Sequence, residues 1–350
     1  MTDEATAPIR TGLIGFGLAG ATFHAPLIAA QPRIVLTAVV TSRVEQAGRI
    51  APGASIYANA AALIADPAIE LVVVTTPDAT HAWLVRQAIE AGKHVVVEKP
   101  FTSDAAEGDE LVRLAASRGR VLSLFHNRRW DSDFLTVRDV AESGVLGEIR
   151  FAELCWDRFR PERAATWRED AGDPYGVLMN IGPHLVDQAL LLFGSPEAVT
   201  GDLARQRPGA TVPDFAEVML HYGDTRVRLS ASTLVAQPRP RFALHGSAGS
   251  FVKHGIDPQE AQLLAGMDPA AAGFGEEPAE AYGMLVAADG ARRPVRSRKG
   301  DWVAFYAGLA AAIRDGGPPP IDARDAVAGL AIIEAARLSH EQGRRIAMKG

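Results

Sequence analysis

The chain has 350 residues, 47% hydrophobic and 22% charged, and its 36 basic and 42 acidic side chains give a net charge of −6. Disorder as the main state is excluded by that apolar content, and the acidic balance argues against a nucleic-acid partner. One cysteine, Cys155, excludes an intrachain disulfide, no apolar run reaches the ~18 residues of a membrane helix, and the N-terminus lacks a signal-peptide pattern, so the expectation is a cytoplasmic protein of about two domains acting on a small molecule.

In chain order, the first third alternates strand and helix signals. Short apolar or β-branched runs at 13–14, 36–40, 71–74, 95–97 and 121–125 predict strands buried on both faces. Helix-period stretches at 22–30, 44–50, 79–90 and 103–117 separate them, with Asp78 and Ser103 as expected N-caps and Gly92 and Gly119 as expected stops. This order predicts a parallel, doubly wound sheet, hence a first domain over 1–125. The pattern changes near Gly147. A strand at 148–156 precedes a polar stretch and a helix at 180–192; Leu185, Leu191 and Leu192 are expected to face the core. Strand signals at 199–206, 215–222, 226–234 and 242–245, with turns at Gly223-Asp224 and 246–249, predict an antiparallel sheet. A surface loop is expected at 265–281, and helices at 302–314 and 322–342, parted by Pro318-Pro319-Pro320. The whole is an α/β chain with a second, α+β domain over 126–350, whose last helix is a candidate to pack back on the first domain.

Gly15-Phe16-Gly17-Leu18-Ala19-Gly20 is a G-x-G-x-x-G between a predicted strand and a predicted helix, the setting a dinucleotide fingerprint requires. Gly15 permits the turn, Gly17 admits a pyrophosphate to the backbone, and Gly20 lets helix and strand approach. The helix N-terminus then offers unpaired N–H groups to the phosphates. Where NAD enzymes place an acid at the end of the second strand, this chain has Thr41-Ser42-Arg43. A hydroxyl and a guanidinium suit a 2′-phosphate, which predicts NADP, with NAD possible because Glu45 stands close by.

The loop, Thr76-Pro77 with His81, the segment 91–100 ending in Glu98-Lys99-Pro100, and Gly182-Pro183-His184 with Asp187 fall in the order of the Gfo/Idh/MocA oxidoreductases, which the chain resembles along its length. Segments 22–27, 126–135 and 157–161 resemble the branch of NADP-dependent scyllo-inositol 2-dehydrogenases. The resemblance implies a Rossmann domain and a domain with an open-faced, mostly antiparallel sheet. It also implies a homodimer or homotetramer joined through that sheet, and a polyol or sugar substrate.

Lys99 follows the fourth long strand at its carboxyl end, where a lysine can stabilise an alkoxide or simply pair with Glu98 at the surface. The resemblance makes it the catalytic lysine. Asn180, His184 and Asp187 recur at one helix face, so His184 is the candidate proton acceptor and Asp187 either orients it or bonds within the fold. The family usually has Asp at position 180. Asn keeps an acceptor and loses the charge, which leaves open a non-catalytic NADP-binding sensor beside the dehydrogenase reading and a sugar or dihydrodiol dehydrogenase. Trp167 and Arg168 resemble an element near the nicotinamide. Arg160, Arg163 and Tyr175 are weaker substrate candidates. Pro77 and His81 either shape the cofactor cleft or, for His81, lie on a helix surface; Asn127 and Arg128 either line the site or form a tight junction. The remaining histidines show no metal-ligand spacing, so no metal is expected.

Overall fold

The computed structural model describes residues 7–163 and 176–348. The chain divides into two compact units. The first runs to Trp130 and adds Pro258–Gly275 and Gly300–Val327; the second takes in the chain from Asp131 to Asp257, Glu276–Lys299 and the chain from Ala328.

In the first unit six strands form one parallel sheet: β1 (Ile9–Ile14), β2 (Ile34–Val40), β3 (Ser55–Tyr57), β4 (Leu71–Val74), β5 (His94–Val97) and β6 (Leu122–Leu124), in the order β3-β2-β1-β4-β5-β6. β4 and Val95, Val96 and Val97 have no exposed surface, as a strand covered on both faces requires. The order reverses between β1 and β4, which sets the topological switch point, where open α/β sheets bind ligands, beyond the carboxyl ends of these two strands.

Several local expectations are corrected. The helix after the glycine loop starts at Ala19, not at residue 22, as a wide π-helical turn (Ala19–His24) that runs into an α-helix at Ala25–Ala29. Asp78 opens a 3-10 turn (Asp78–Thr80), and the helix proper is His81–Glu90. Asp104, not Ser103, caps Ala105–Ser117, because its carboxylate accepts from the Glu107 N–H at 2.9 Å. Gly92 and Gly119 do stop their helices, with φ of 78° and 60°. Strand β3 and helix Ala60–Ala65, whose Asn59 cap accepts from Ala62, carry no signal in the sequence reading.

The second unit holds a nine-stranded sheet. Its members are β7 (Ile149–Asp157), β8 (Ala198–Ala204), β9 (Phe215–Tyr222), β10 (Thr225–Ser232), β11 (Phe242–Gly246), β12 (Gly249–Lys253), β13 (Gly283–Ala287), β14 (Arg292–Val295) and β15 (Ile346–Ala347), in the order β14-β13-β12-β11-β7-β10-β9-β8-β15. β7 and β10 pair in parallel and the other neighbours run antiparallel. Ala152, Leu154, Val227, Leu229, Val218 and Leu220 alternate with half-buried residues, so one face of the sheet carries the core of this unit. Helix Val177–Phe193 brings its buried side chains to the same core, but Leu191 is 40% exposed, against the expectation that it faces inward. Nor is 265–281 simply a surface loop. Phe274 is buried, and Glu277 is buried in an ion pair with Lys253 at 2.9 Å. Helix Ala323–Gln342 passes from the first unit to the second after Val327. No helix among the described residues is long and apolar enough to cross a membrane.

Candidate active site

The three glycines of the loop differ in what surrounds them. At Gly15 φ is 97°, and an added Cβ would sit 2.9 Å from the Thr75 carbonyl oxygen. At Gly20 it would sit 2.4 Å from the Gly15 carbonyl oxygen, so neither position has room for a side chain. At Gly17 it would meet nothing within 4 Å. The loop is therefore tight where it packs on β4 and open where a phosphate would approach, the cradle a dinucleotide needs. Thr75, which the sequence reading passed over, closes this turn by donating its hydroxyl to the Gly15 carbonyl at 2.8 Å. Phe16 is buried, Leu18 is 60% exposed and Ala19 is half-buried at the helix start. Ser42 and Arg43 are exposed beyond the carboxyl end of β2; the Arg43 N–H is held by the Thr41 hydroxyl at 2.9 Å.

β4 and β5 lie next in the sheet, and their tails carry the next group. The Thr76 hydroxyl bonds that of Thr80 at 2.6 Å, and the Pro77 carbonyl accepts from the same Thr80 hydroxyl at 2.8 Å. His81 has no exposed surface, so it is not a helix-surface residue. Its Nε2 faces the Thr76 carbonyl at 2.9 Å and its Nδ1 the Pro100 carbonyl at 2.7 Å, tying the two tails together. Glu98 lies between two groups: one carboxylate oxygen meets His24 Nε2 at 3.1 Å, and the other accepts the Lys99 backbone N–H at 3.1 Å. Burial pushes the Glu98 carboxyl up, but the His24 hydrogen bond, the positive Lys99 side chain and the Lys99 N–H together outweigh it and hold it below the usual range. Lys99 itself is half-buried at this carboxyl edge.

In the second unit, helix Val177–Phe193 carries Asn180, His184 and Asp187. His184 and Asp187 are buried, 7% and 4% exposed, and Asn180 is half-buried. Pro183 lies within the helix and has no N–H to give the Met179 carbonyl. The His184 ring stacks on Trp156 of β7, 5.9 Å between centroids, and the Arg241 guanidinium lies 4.8 Å from the same indole. Arg241 also donates to Gln188, one turn beyond His184, at 2.6 Å. Sequence reading missed Trp156 and Arg241, whose role depends on strand pairing and not on any motif.

Asn127 and Arg128 are buried in a 3-10 turn after β6. Arg128 pairs with Glu260 and stacks over Trp302 at 5.0 Å, the arrangement of a tight junction. Arg160 is exposed, and its backbone N–H bonds the Thr233 carbonyl at 2.7 Å. Arg163 reaches the Gly209 carbonyl at 2.8 Å. Trp167, Arg168 and Tyr175 lie outside the described residues.

A glycine cradle at a switch point, in the first of two α/β units, defines a dinucleotide-binding fold, and comparison with known proteins places it among oxidoreductases. Residues 9–126 match the model of the oxidoreductase family's NAD-binding Rossmann fold, and residues 138–348 that of its C-terminal alpha/beta domain. The chain belongs to the Gfo/Idh/MocA oxidoreductase family. It is 39% identical to scyllo-inositol 2-dehydrogenase (NADP(+)) IolW of Bacillus subtilis over 97% of this chain and 96% of that one. It is 42% identical to the uncharacterized oxidoreductase YdgJ of Escherichia coli over 93% and 94% of the two chains. The solved structure of yvaA from Bacillus subtilis superposes with a TM-score of 0.96 at 38% identity, covering 98% of this chain and 99% of the other.

Proposed function

We propose that the protein is an NADP-dependent dehydrogenase that oxidises a secondary alcohol of a cyclic polyol, an inositol or a sugar, or reduces the corresponding ketone. One observation carries the reading: the open glycine cradle, the Thr76-Pro77 turn and Glu98-Lys99 follow β1, β4 and β5, three adjacent parallel strands, at one edge of one sheet. A bound nicotinamide supplies the hydride acceptor or donor. Backbone N–H groups of residues 16–20 would hold its pyrophosphate, the Gly15 N–H being taken by the Val40 carbonyl at 3.1 Å, and Ser42 and Arg43 would hold a 2′-phosphate, since neither is an acid that would repel it. Pro77 and His81 shape the cleft wall, with Trp167 and Arg168 assigned beside the nicotinamide from the family pattern.

Lys99 donates to the substrate oxygen and steadies the alkoxide. His184 takes the hydroxyl proton during oxidation and returns it during reduction. Asn180 and Asp187 bind substrate hydroxyls; Asn127, Arg160 and Tyr175 are assigned lesser parts in that pocket. The substrate class is supported by the name of the inositol dehydrogenase at 39% identity. In the same reading the chain forms a homodimer or homotetramer through the sheet face on which half-buried Val252 lies opposite Met284.

Asn180, where the family usually has Asp, favours a second reading: a sensor that binds NADP(H) without turnover. Purified protein with NADPH or NADH and a panel of inososes and ketoses separates the two. Turnover faster with NADPH supports the dehydrogenase, and tight NADPH binding with no turnover across the panel supports the sensor.

A further inference from the structure

His24 is a fully buried histidine that the reaction as written does not use. It ends the π-helical turn that starts in the glycine loop, four residues after Gly20. Such wide turns, rare in helices, often mark functional positions, and this one sets the ring between two polar partners. Nε2 lies 3.1 Å from a Glu98 carboxylate oxygen, and Nδ1 lies 2.5 Å from the Tyr306 hydroxyl, which is itself fully buried on helix Val303–Asp315. Phe125 packs against the imidazole at 4.2 Å between ring centroids. A carboxylate only accepts, so Nε2 carries the proton toward Glu98. Burial, and then the Glu98 charge, hold the Tyr306 hydroxyl well above its ordinary titration range, so it remains a donor for Nδ1. The charged and titratable groups acting on Glu98 are thus His24 from the π-helical turn, Tyr306 from helix Val303–Asp315 and Lys99 from its own loop.

We propose that His24, braced by Tyr306, is a positioning residue for Lys99. It fixes the Glu98 carboxylate, which holds the Lys99 backbone with its second oxygen and faces the Lys99 ammonium with a negative charge. The element that begins at the phosphate cradle thereby also sets the lysine. The inference deepens the proposed reaction and rests on Lys99 acting in it. The His24–Glu98–Lys99 coupling is measurable without turnover.

The chain has five lysines, so reductive methylation with 13C-formaldehyde gives few signals, and the Lys99 signal is the one missing from Lys99→Met. In the native protein that signal shifts in a step as Glu98 titrates, below the usual carboxylate range. In His24→Phe, which keeps an aromatic ring and loses both ring bonds, the step moves up by about one to two pH units, the worth of one charge-assisted hydrogen bond. Tyr306→Phe moves it in the same direction by less, and decides the matter if His24→Phe does not fold. If native protein turns over substrate, His24→Phe lowers kcat about 10- to 100-fold with NADPH affinity nearly unchanged, and the acidic limb of its kcat profile moves up with the step. A Lys99 signal without a Glu98 step in native protein, or a step at the same pH in the variants, overturns the inference. An inactive native protein with the step displaced as described instead removes the proposed reaction and leaves the coupling standing.

Discussion

In the proposed reading Arg43 carries the choice of cofactor, on an exposed side chain whose backbone is fixed by Thr41. A charge-assisted bond to a 2′-phosphate is worth about 1.5–3 kcal/mol, or roughly 10- to 100-fold, with exposure placing it toward the lower end. Arg43→Ala should therefore erase most of the preference for NADPH over NADH in fluorescence titrations and leave NADH binding nearly unchanged. Equal affinities in the native protein would contradict this assignment. Lys99→Ala and His184→Ala should each lower kcat about 10²–10⁴-fold while NADPH still binds, because positioned proton-transfer groups contribute that much. Their losses should not add in the double variant, since the proposed mechanism assigns both to one proton transfer. Near-full kcat in either single variant at saturating substrate would remove that residue from the mechanism. The sequence made these residues visible through motifs, but not their partners. His24 lies 74 residues from Glu98 and 282 from Tyr306, and no local pattern links positions so far apart.

Two elements carry predictions of their own. In the glycine loop, Gly17 is open and Gly20 is filled. Gly17→Ala should weaken NADPH binding with little change in Tm, because its methyl group points where the phosphate goes. Gly20→Ala should lower both, since its methyl group collides with the Gly15 carbonyl. Equal effects of the two on Tm would show that the loop is not built in this way. At the start of β5, His94 is pushed down to about 4 by burial and then by the Arg120 charge, while its Nδ1 accepts from the Val121 N–H at 3.0 Å. The unfolded chain binds this proton near 6.5 and the folded chain does not, so stability present above 6.5 is lost as pH falls toward about 4. Urea midpoints should decline across that window, and less so in His94→Asn, whose amide oxygen can replace Nδ1 as acceptor. Identical slopes would contradict the assignment. The strands themselves were legible to the degree that they are buried. β4 and β5 read as apolar runs because both faces are covered, whereas β3 has three residues, none buried, and β12–β14 mix glycine, charge and proline. The π-helical turn has no residue signature, which is why the helix was expected to start at residue 22.

For the whole molecule, alternation of strand and helix followed by a run of strands was enough to anticipate a parallel and a mostly antiparallel sheet. It did not anticipate that Pro258–Gly275 and helix Val303–Asp315 would return to the first unit, because that assignment depends on distant packing; the last helix, Ala323–Gln342, which was the candidate to do so, belongs to that unit only as far as Val327. The buried Lys253–Glu277 pair shows the same limit: a charged, alanine-rich and glycine-rich stretch reads as solvated until its partner strand is known. In the proposed reaction this two-unit chain passes hydride between a carbinol carbon and a nicotinamide. The most direct measurement uses NADP+ and an inositol carrying deuterium on its carbinol carbons, with the cofactor analysed by NMR after incubation. Deuterium should appear on the nicotinamide ring carbon in the presence of native protein and not with Lys99→Ala on the same timescale. Saturation of the native protein with NADP+, with no label transferred from this or any other deuterated cyclic polyol or sugar, would contradict it.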